Sequence, residues 1–251
     1  MRPQTNSGPA GIIVVNKPAG ISSQQVVTRV KRAMRYKKAG HAGTLDPEAT
    51  GVLVVCLSGA TRLFEALQAH EKEYVSVVRL GVETNTFDMT GEVVEEREVP
   101  SLSAEDVERV LENYRGDIEQ VPPMFSALKH RGQPLYKLAR QGITVDRPPR
   151  TVTVREMELV DLSPPEMTLR TVCSRGTYIR TLAHDIGRDL GCGGCVQTLA
   201  RTRSGPFSVD RAMTLDDIEA DPTRAAETVT PIDAVRAMLA TEATEAAEAP
   251  R

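Results

Sequence analysis

Residues 40–48 read Gly-His-Ala-Gly-Thr-Leu-Asp-Pro-Glu, which places the imidazole of His41 close in sequence to the carboxylate of Asp46. A loop bounded by glycines and stiffened by a proline can present a carboxylate to a substrate as a nucleophile or as an acid or base. The same residues also suit a plain turn in which Asp46 accepts main-chain hydrogen bonds. Spacing alone leaves both readings open. The stretch is not a Walker loop, because no Lys follows the glycine, and the chain has no Gly-x-Ser-x-Gly elbow for a serine hydrolase. Nor is there a clear second acid for glycoside hydrolysis, since Glu48 follows Pro47 in the same short loop.

A second cluster runs Ser174-Arg175-Gly176-Thr177-Tyr178-Ile179-Arg180. It reads as a strand-to-helix junction with Arg180 in the first helical turn. Helix N-termini favour anions, so an arginine there calls for a partner carboxylate. A carboxylate in the Asp46 loop would be such a partner, while the plain alternative is a surface ion pair of little consequence.

The elements that must carry these clusters follow from periodicity. GIIVVNKPAG reads as a short buried strand and turn, and Ser22 or Ser23 can cap the helix that follows. In that helix Val26, Val27, Val30 and Met34 share one face, which turns a basic run from Arg29 to Lys38 towards solvent. VLVVCL and Tyr74–Gly81 read as strands, and TNTFDMTGEVV supplies turn chemistry and a further strand. Ser103 with Asp106 opens a packing helix. TVTVREMELVDL and MTLRTVCS alternate as paired strands, a helix is predicted from Thr177 to about Leu190, and VQTLARTRSGPFSV reads as strand again. Many strands with few helices, in no strict βαβ alternation, predict a mixed α+β sheet protein.

Composition narrows the function classes. The net charge of −3 gives no overall nucleic-acid signature, but its distribution is uneven. Residues 29–38 hold six Lys or Arg and no acid, and the proline-rich segment 121–150 is basic with Asp146 as its single acid, whereas 92–119 and the region after Asp216 are acidic. Cys192 and Cys195 form a lone C-x-x-C with no second pair, so reduced structural cysteines are expected and no metal. No apolar run is long enough to span a bilayer and the first residues lack a signal-peptide core, so a cytoplasmic protein is expected. The Ala- and Glu-rich segment 237–251 is expected to be a disordered tail after a domain of residues 9–236.

Three motifs in order make a specific resemblance. GHAGTLDPEATGVLVVCLSGATRL resembles the signature of the TruB family of pseudouridine synthases, and SRGTYIRTLAHDIG and LARTRSGPF resemble its later motifs. QVPPMFSALKHRGQPLYKLARQG is similar to the family's inserted, thumb-like RNA-binding segment. The resemblance covers residues 11 to about 210 and implies the pseudouridine synthase fold, a mainly antiparallel mixed sheet flanked by helices and loops. It implies an isomerase that converts the uridine at position 55 in the T arm of tRNA to pseudouridine, by base flipping, with no cofactor. It also implies roles for single residues: Asp46 as nucleophile, Tyr74 stacking on the target base, Arg180 pairing with Asp46, and Tyr178 lying against the base. His41 would fill the gap in the RNA stack, Leu199 would line the pocket, and Lys17, Arg62 and the basic groups of 29–38 and 129–150 would contact phosphates. The tail is too short for the PUA-like module common in the family, so no guide RNA is expected as partner, and a monomer is. An additional role as a tRNA-folding chaperone is compatible with base flipping. Cys195 stands where many relatives carry His.

Overall fold

The computed structural model describes residues 8–248, with side chains as far as residue 242. The chain forms two compact units, Met1–Tyr74 with Leu199–Arg251, and Val75–Thr198. Two strands, Lys72–Leu80 and Gly194–Ser204, begin in one unit and end in the other. Among the described residues no helix is long and apolar enough to cross a membrane.

In the first unit the strand Gly11–Lys17 pairs antiparallel along its whole length with Thr50–Leu57, from Gly11 opposite Leu57 to Lys17 opposite Gly51. Both strands are apolar on both faces, so each contributes to two cores. Ile13, Val15, Leu53, Val55 and Leu57 pack with Val26, Val27 and Val30 of the helix Ser23–Ala33. Ile12, Val52, Val54 and Cys56 pack on the other side with Leu63, Leu67, Phe207, Val235 and Leu239. Ser22 caps the helix with a reciprocal capping box to Gln25. Two parallel pairings extend the sheet here, Met213–Thr214 beside Gly11–Lys17, and Ala200 and Arg201 beside Thr50 and Gly51.

The segment expected to be a disordered tail is helical: Ile232–Glu248 forms one helix. Its alanines and glutamates favour helix, and Ile232, Val235 and Leu239 recur at helical spacing and are buried. Residues 249–251 lie outside the described residues.

In the second unit, Gly116–Gln120, Arg150–Ser163 and Glu166–Cys173 lie in that order as antiparallel neighbours. The long hairpin of the last two is the pair that the alternation predicts. The helix Ala104–Leu111 starts at the Ser103–Asp106 capping box and buries Val107 and Leu111. Val82–Thr84 and Val93–Glu96 make a small hairpin. The basic segment contains a two-residue hairpin, Lys129–His130 with Gln133–Pro134, and a short helix, Leu135–Ala139. Arg131 and Gly132, both with positive φ, make its turn.

Candidate active site

In the first unit the Asp46 loop is tied down residue by residue. His41 ends the short strand Ala39–His41 rather than lying in the loop, and the next amide, Ala42 N–H, donates to Val54 O at 2.9 Å. Ala42, Leu45 and Ala49 are buried, which leaves Asp46 half-buried between them and Glu48 exposed. Ser23, in the first turn of its helix, donates its hydroxyl to Leu45 O at 3.0 Å and accepts Leu45 N–H at 2.8 Å. Beyond the aspartate, Ala49 N–H donates to Asp46 O at 3.1 Å, closing a turn with Pro47 in the place where its fixed φ fits.

Lys17 holds the far side of this turn. Its Nζ donates to Pro18 O at 2.8 Å, Pro47 O at 2.7 Å and Ala49 O at 2.7 Å, and the residue is fully buried. Three carbonyls therefore take all three protons of the ammonium. A phosphate contact, expected from the sequence, is not available to it, because the side chain runs inward beneath the loop. Burial pulls its pKa down to about 8, against the opposing pull of Glu48 and Asp46, so it keeps its proton at neutral pH.

Arg201 completes the frame and was not singled out from the sequence. Its Nε donates to Val52 O at 2.8 Å and its Nη2 to Gly43 O at 3.1 Å, and it is among the largest fully buried side chains. Its main chain presses on Gly51, where φ is +96° and a Cβ would lie 2.2 Å from Arg201 O. The signal was present in LARTRSGPF, but nothing in the motif tells which of its two arginines, Arg201 or Arg203, is internal. Burial lowers the His41 pKa, Arg201 adds to the shift and the main chain of Gly43 opposes it, so the imidazole is neutral at pH 7.

The other expected residues of this unit are more open. Tyr74 and Leu199 are half-buried, and Leu199 O accepts the Thr50 hydroxyl at 3.4 Å. Arg62 is exposed in the turn Ser58–Leu63. Among the basic groups of 29–38, Arg29 is engaged elsewhere: its Nε donates to Glu219 Oε1 at 2.7 Å, in a bidentate pair. Lys37 and Lys38 are exposed.

Tyr178 and Arg180 belong to the second unit. Arg180 is buried and donates to Thr86 O and Phe125 O, each at 2.8 Å, with Asp88 Oδ2 3.7 Å from its Nε. Asp88 in turn accepts from the Thr86 hydroxyl at 2.8 Å and the Thr90 hydroxyl at 2.6 Å. Tyr178 is half-buried at the start of the helix Ile179–Asp189, and both its main-chain polar groups bond the side chain of Gln120. Thr86, Asp88, Phe125 and Gln120 carry no sequence signal for this arrangement, because each is far from Arg180 along the chain.

Among the described residues no group of three or more His, Cys, Asp or Glu is placed to hold a metal ion. The four cysteines are free and buried, and burial pushes the thiols of Cys56 and Cys195 up to about 12 and about 11.

Comparison with known proteins adds names to this geometry. A family model described as TruB family pseudouridylate synthase, N-terminal domain, matches residues 31–179. A second, described as tRNA pseudouridylate synthase B C-terminal domain, matches 180–240. The chain is 53% identical over 213 residues to the tRNA pseudouridine synthase B of Saccharophagus degradans, covering 84% of this chain and 68% of that protein. It is 47% identical over 210 residues to the protein of that name from Francisella philomiragia, covering 83% and 70%. Among solved structures, a Cbf5-Nop10-Gar1 complex matches with a TM-score of 0.70 and 31% identity over 89% of this chain. An archaeal box H/ACA Nop10-Cbf5 complex matches with a TM-score of 0.68 and 28% identity over 93%. The chain spans 60% and 63% of those two solved chains.

Proposed function

We propose that this chain, which belongs to the TruB family of pseudouridylate synthases, converts the uridine at position 55 in the T arm of tRNA to pseudouridine, with Asp46 as its nucleophile. The observation that carries the reading is the Asp46 loop, fastened by Ser23, Lys17 and Arg201 on both sides of one half-buried carboxylate. A turn that served only to connect two strands would need no internal cations beneath it. The tRNA substrate follows the names of the relatives.

The chemistry is an isomerisation. The bond from C1′ to N1 of uracil breaks, the base rotates, a bond from C1′ to C5 forms, C5 gives up its proton and N1 gains one. No redox partner enters this balance. A stacked uridine must first leave the RNA, which costs a few kcal/mol and calls for an aromatic or apolar wall to receive it. Tyr74 and Tyr178 supply ring faces, Leu199 an apolar contact, and neutral His41 fills the space that the base vacates. An ionised Asp46 supplies the nucleophile, with Arg180 as its partner. Arg62, Lys37, Lys38 and the exposed basic groups of 129–150 meet phosphates, while Lys17 and Arg29 are assigned to the fold.

The test is release of tritium from C5-labelled uridine in an unmodified T-arm stem-loop, comparing wild type with Asp46→Asn. Wild type should release label, and Asp46→Asn should fall by about 10⁴-fold or more, the scale on which loss of an essential side chain is felt. RNA affinity should stay within about threefold, because the substitution keeps shape and leaves the phosphate contacts intact. Tight binding with no release by wild type would move the function to an RNA-folding chaperone.

A further inference from the structure

The helix Ile179–Asp189 begins at Tyr178, whose φ of −100° and ψ of 104° put it just outside the helix with no side-chain cap. Its N–H donates to Gln120 Oε1 at 2.8 Å, and Gln120 Nε2 donates to its carbonyl at 3.1 Å. The same carbonyl accepts the helix amides of Thr181 and Leu182 at 3.1 and 3.2 Å. One planar amide thus pairs both main-chain polar groups of one residue, as a neighbouring strand would, and only a group with a donor and an acceptor side by side can do so.

The support behind Gln120 is stiff. The residue is 3% exposed and ends the strand Gly116–Gln120, where it lies opposite Arg150. The Gln120 side chain is itself buried, so breaking either bond leaves one of its own polar atoms short of a partner. The same run of chain also delivers the Phe125 carbonyl that receives Arg180 Nη2 at 2.8 Å. Residues 120–125 therefore grip Tyr178 by its main chain and Arg180 by its guanidinium.

We propose that Gln120 is a positioning residue of the isomerisation, holding the main chain at Tyr178 so that the Tyr178 ring faces the flipped uridine, and the Arg180 guanidinium keeps its own place, in a fixed geometry. It rests on the roles proposed above for Tyr178 and Arg180. Gln120 touches neither substrate nor reacting atoms, and its effect passes through the two residues it places.

The experiment compares Gln120→Glu and Gln120→Leu with wild type in single-turnover conversion of unmodified tRNA, with RNA affinity and thermal unfolding measured for each. An ionised glutamate accepts the Tyr178 N–H but sets a second acceptor against the Tyr178 carbonyl, whereas its neutral form restores both bonds. At about pH 8.5, Gln120→Glu is expected to react about 10- to 100-fold more slowly than wild type, the scale of a small misplacement of reacting groups. Its rate, taken as a ratio to wild type at each pH, should recover as pH falls and the introduced carboxyl takes up a proton. Burial, together with Asp117, Glu119, Asp185 and Asp189 lining the same cavity with Tyr114, favours that neutral form. Asp185, whose pKa burial raises to about 6, titrates in wild type and in Gln120→Leu as well, so only a recovery particular to Gln120→Glu reports the introduced carboxyl.

Gln120→Leu makes neither bond at any pH, so it should be slow throughout, with RNA affinity unchanged. Should it fail to fold, the acid recovery of Gln120→Glu decides alone. A Gln120→Glu rate that tracks wild type at every pH overturns the proposal, and so does an equal, pH-independent loss in both variants, which would mean lost packing only. A wild type that forms no pseudouridine overturns the proposed function and this proposal with it, and the wild-type arm alone identifies that outcome.

Discussion

Lys17→Met tests whether the internal ammonium sets both the stability of the first unit and the placement of Asp46. Methionine keeps the length of the side chain and removes its three donors, which run at 2.7–2.8 Å to Pro18, Pro47 and Ala49. The Pro47 carbonyl keeps the Gly20 amide as a partner at 3.0 Å, so two carbonyls bear most of the loss, at about 1–3 kcal/mol each. Relief from desolvation opposes this. Burial lowers the lysine from 10.5 to about 8, which corresponds to about 3 kcal/mol against the charged form at neutral pH. With about 4 kcal/mol as the middle of the first range against about 3, the balance is a variant about 1 kcal/mol less stable at pH 7, a fall of about 0.5 M in urea midpoint.

The pH dependence fixes the sign. Because the folded value is lowered, the penalty is fully present below about 8 and disappears as pH rises from there towards 10.5. Wild type should therefore gain stability relative to the Met variant across that window. Turnover should move the other way, since a neutral amine has two N–H groups for three carbonyls and the turn at Asp46 loosens. Urea unfolding followed by circular dichroism, and single-turnover conversion, at about pH 7 and about pH 9.5 measure both, on either side of the lysine's lowered value. A difference in midpoint that is the same at both pH values refutes the reasoning, as does alkaline loss of rate shared equally by the Met variant.

Two further outcomes follow from packing. Gly51→Ala puts a Cβ 2.2 Å from the Arg201 carbonyl oxygen at a φ of +96°, so a loss of at least about 3 kcal/mol is expected, read as a fall of roughly 6–12 °C in Tm by scanning calorimetry. The four buried thiols, with Cys56 and Cys195 pushed up to about 12 and about 11, should resist iodoacetamide at about pH 8 in the folded protein and react once it is unfolded in urea, as mass spectrometry would show. Rapid alkylation of Cys56 in the native protein would contradict its burial.

What was legible in the sequence is what local chemistry decides. The Ser103–Asp106 box, the helix end at Gly191, and the alternation of Arg150–Ser163 and Glu166–Cys173 each depend on neighbours within a few residues. Ser22 and Ser23 could not be told apart as caps, because the choice depends on Leu45, which takes the second serine from across the unit. The direction of Lys17 was misread for the same reason. A lysine after a buried strand is usually solvated, and only the carbonyls of Pro47 and Ala49 draw this one inward. The last helix was underestimated because Ala and Glu dominate its composition, while the few apolar residues that seat it, Val235 and Leu239 among them, matter by their spacing.

The buried cations share one task. Lys17, Arg201 and Arg180 are nearly inaccessible, and each donates to main-chain carbonyls of irregular segments or strand ends. A short loop with no ladder beside it leaves such carbonyls without donors, and burying them unpaired is costly. A lysine offers three donors from one residue and an arginine five in a fixed fork, so one side chain can satisfy several carbonyls that no single backbone amide could reach. The consequence is rigidity at low chain length: the segment around Asp46 is held at Gly43, Leu45, Pro47 and Ala49 within the protein itself. In the reaction proposed above, a loop fixed in this way would lose little freedom on RNA binding, which leaves the energy of binding for unstacking the base rather than for ordering the carboxylate.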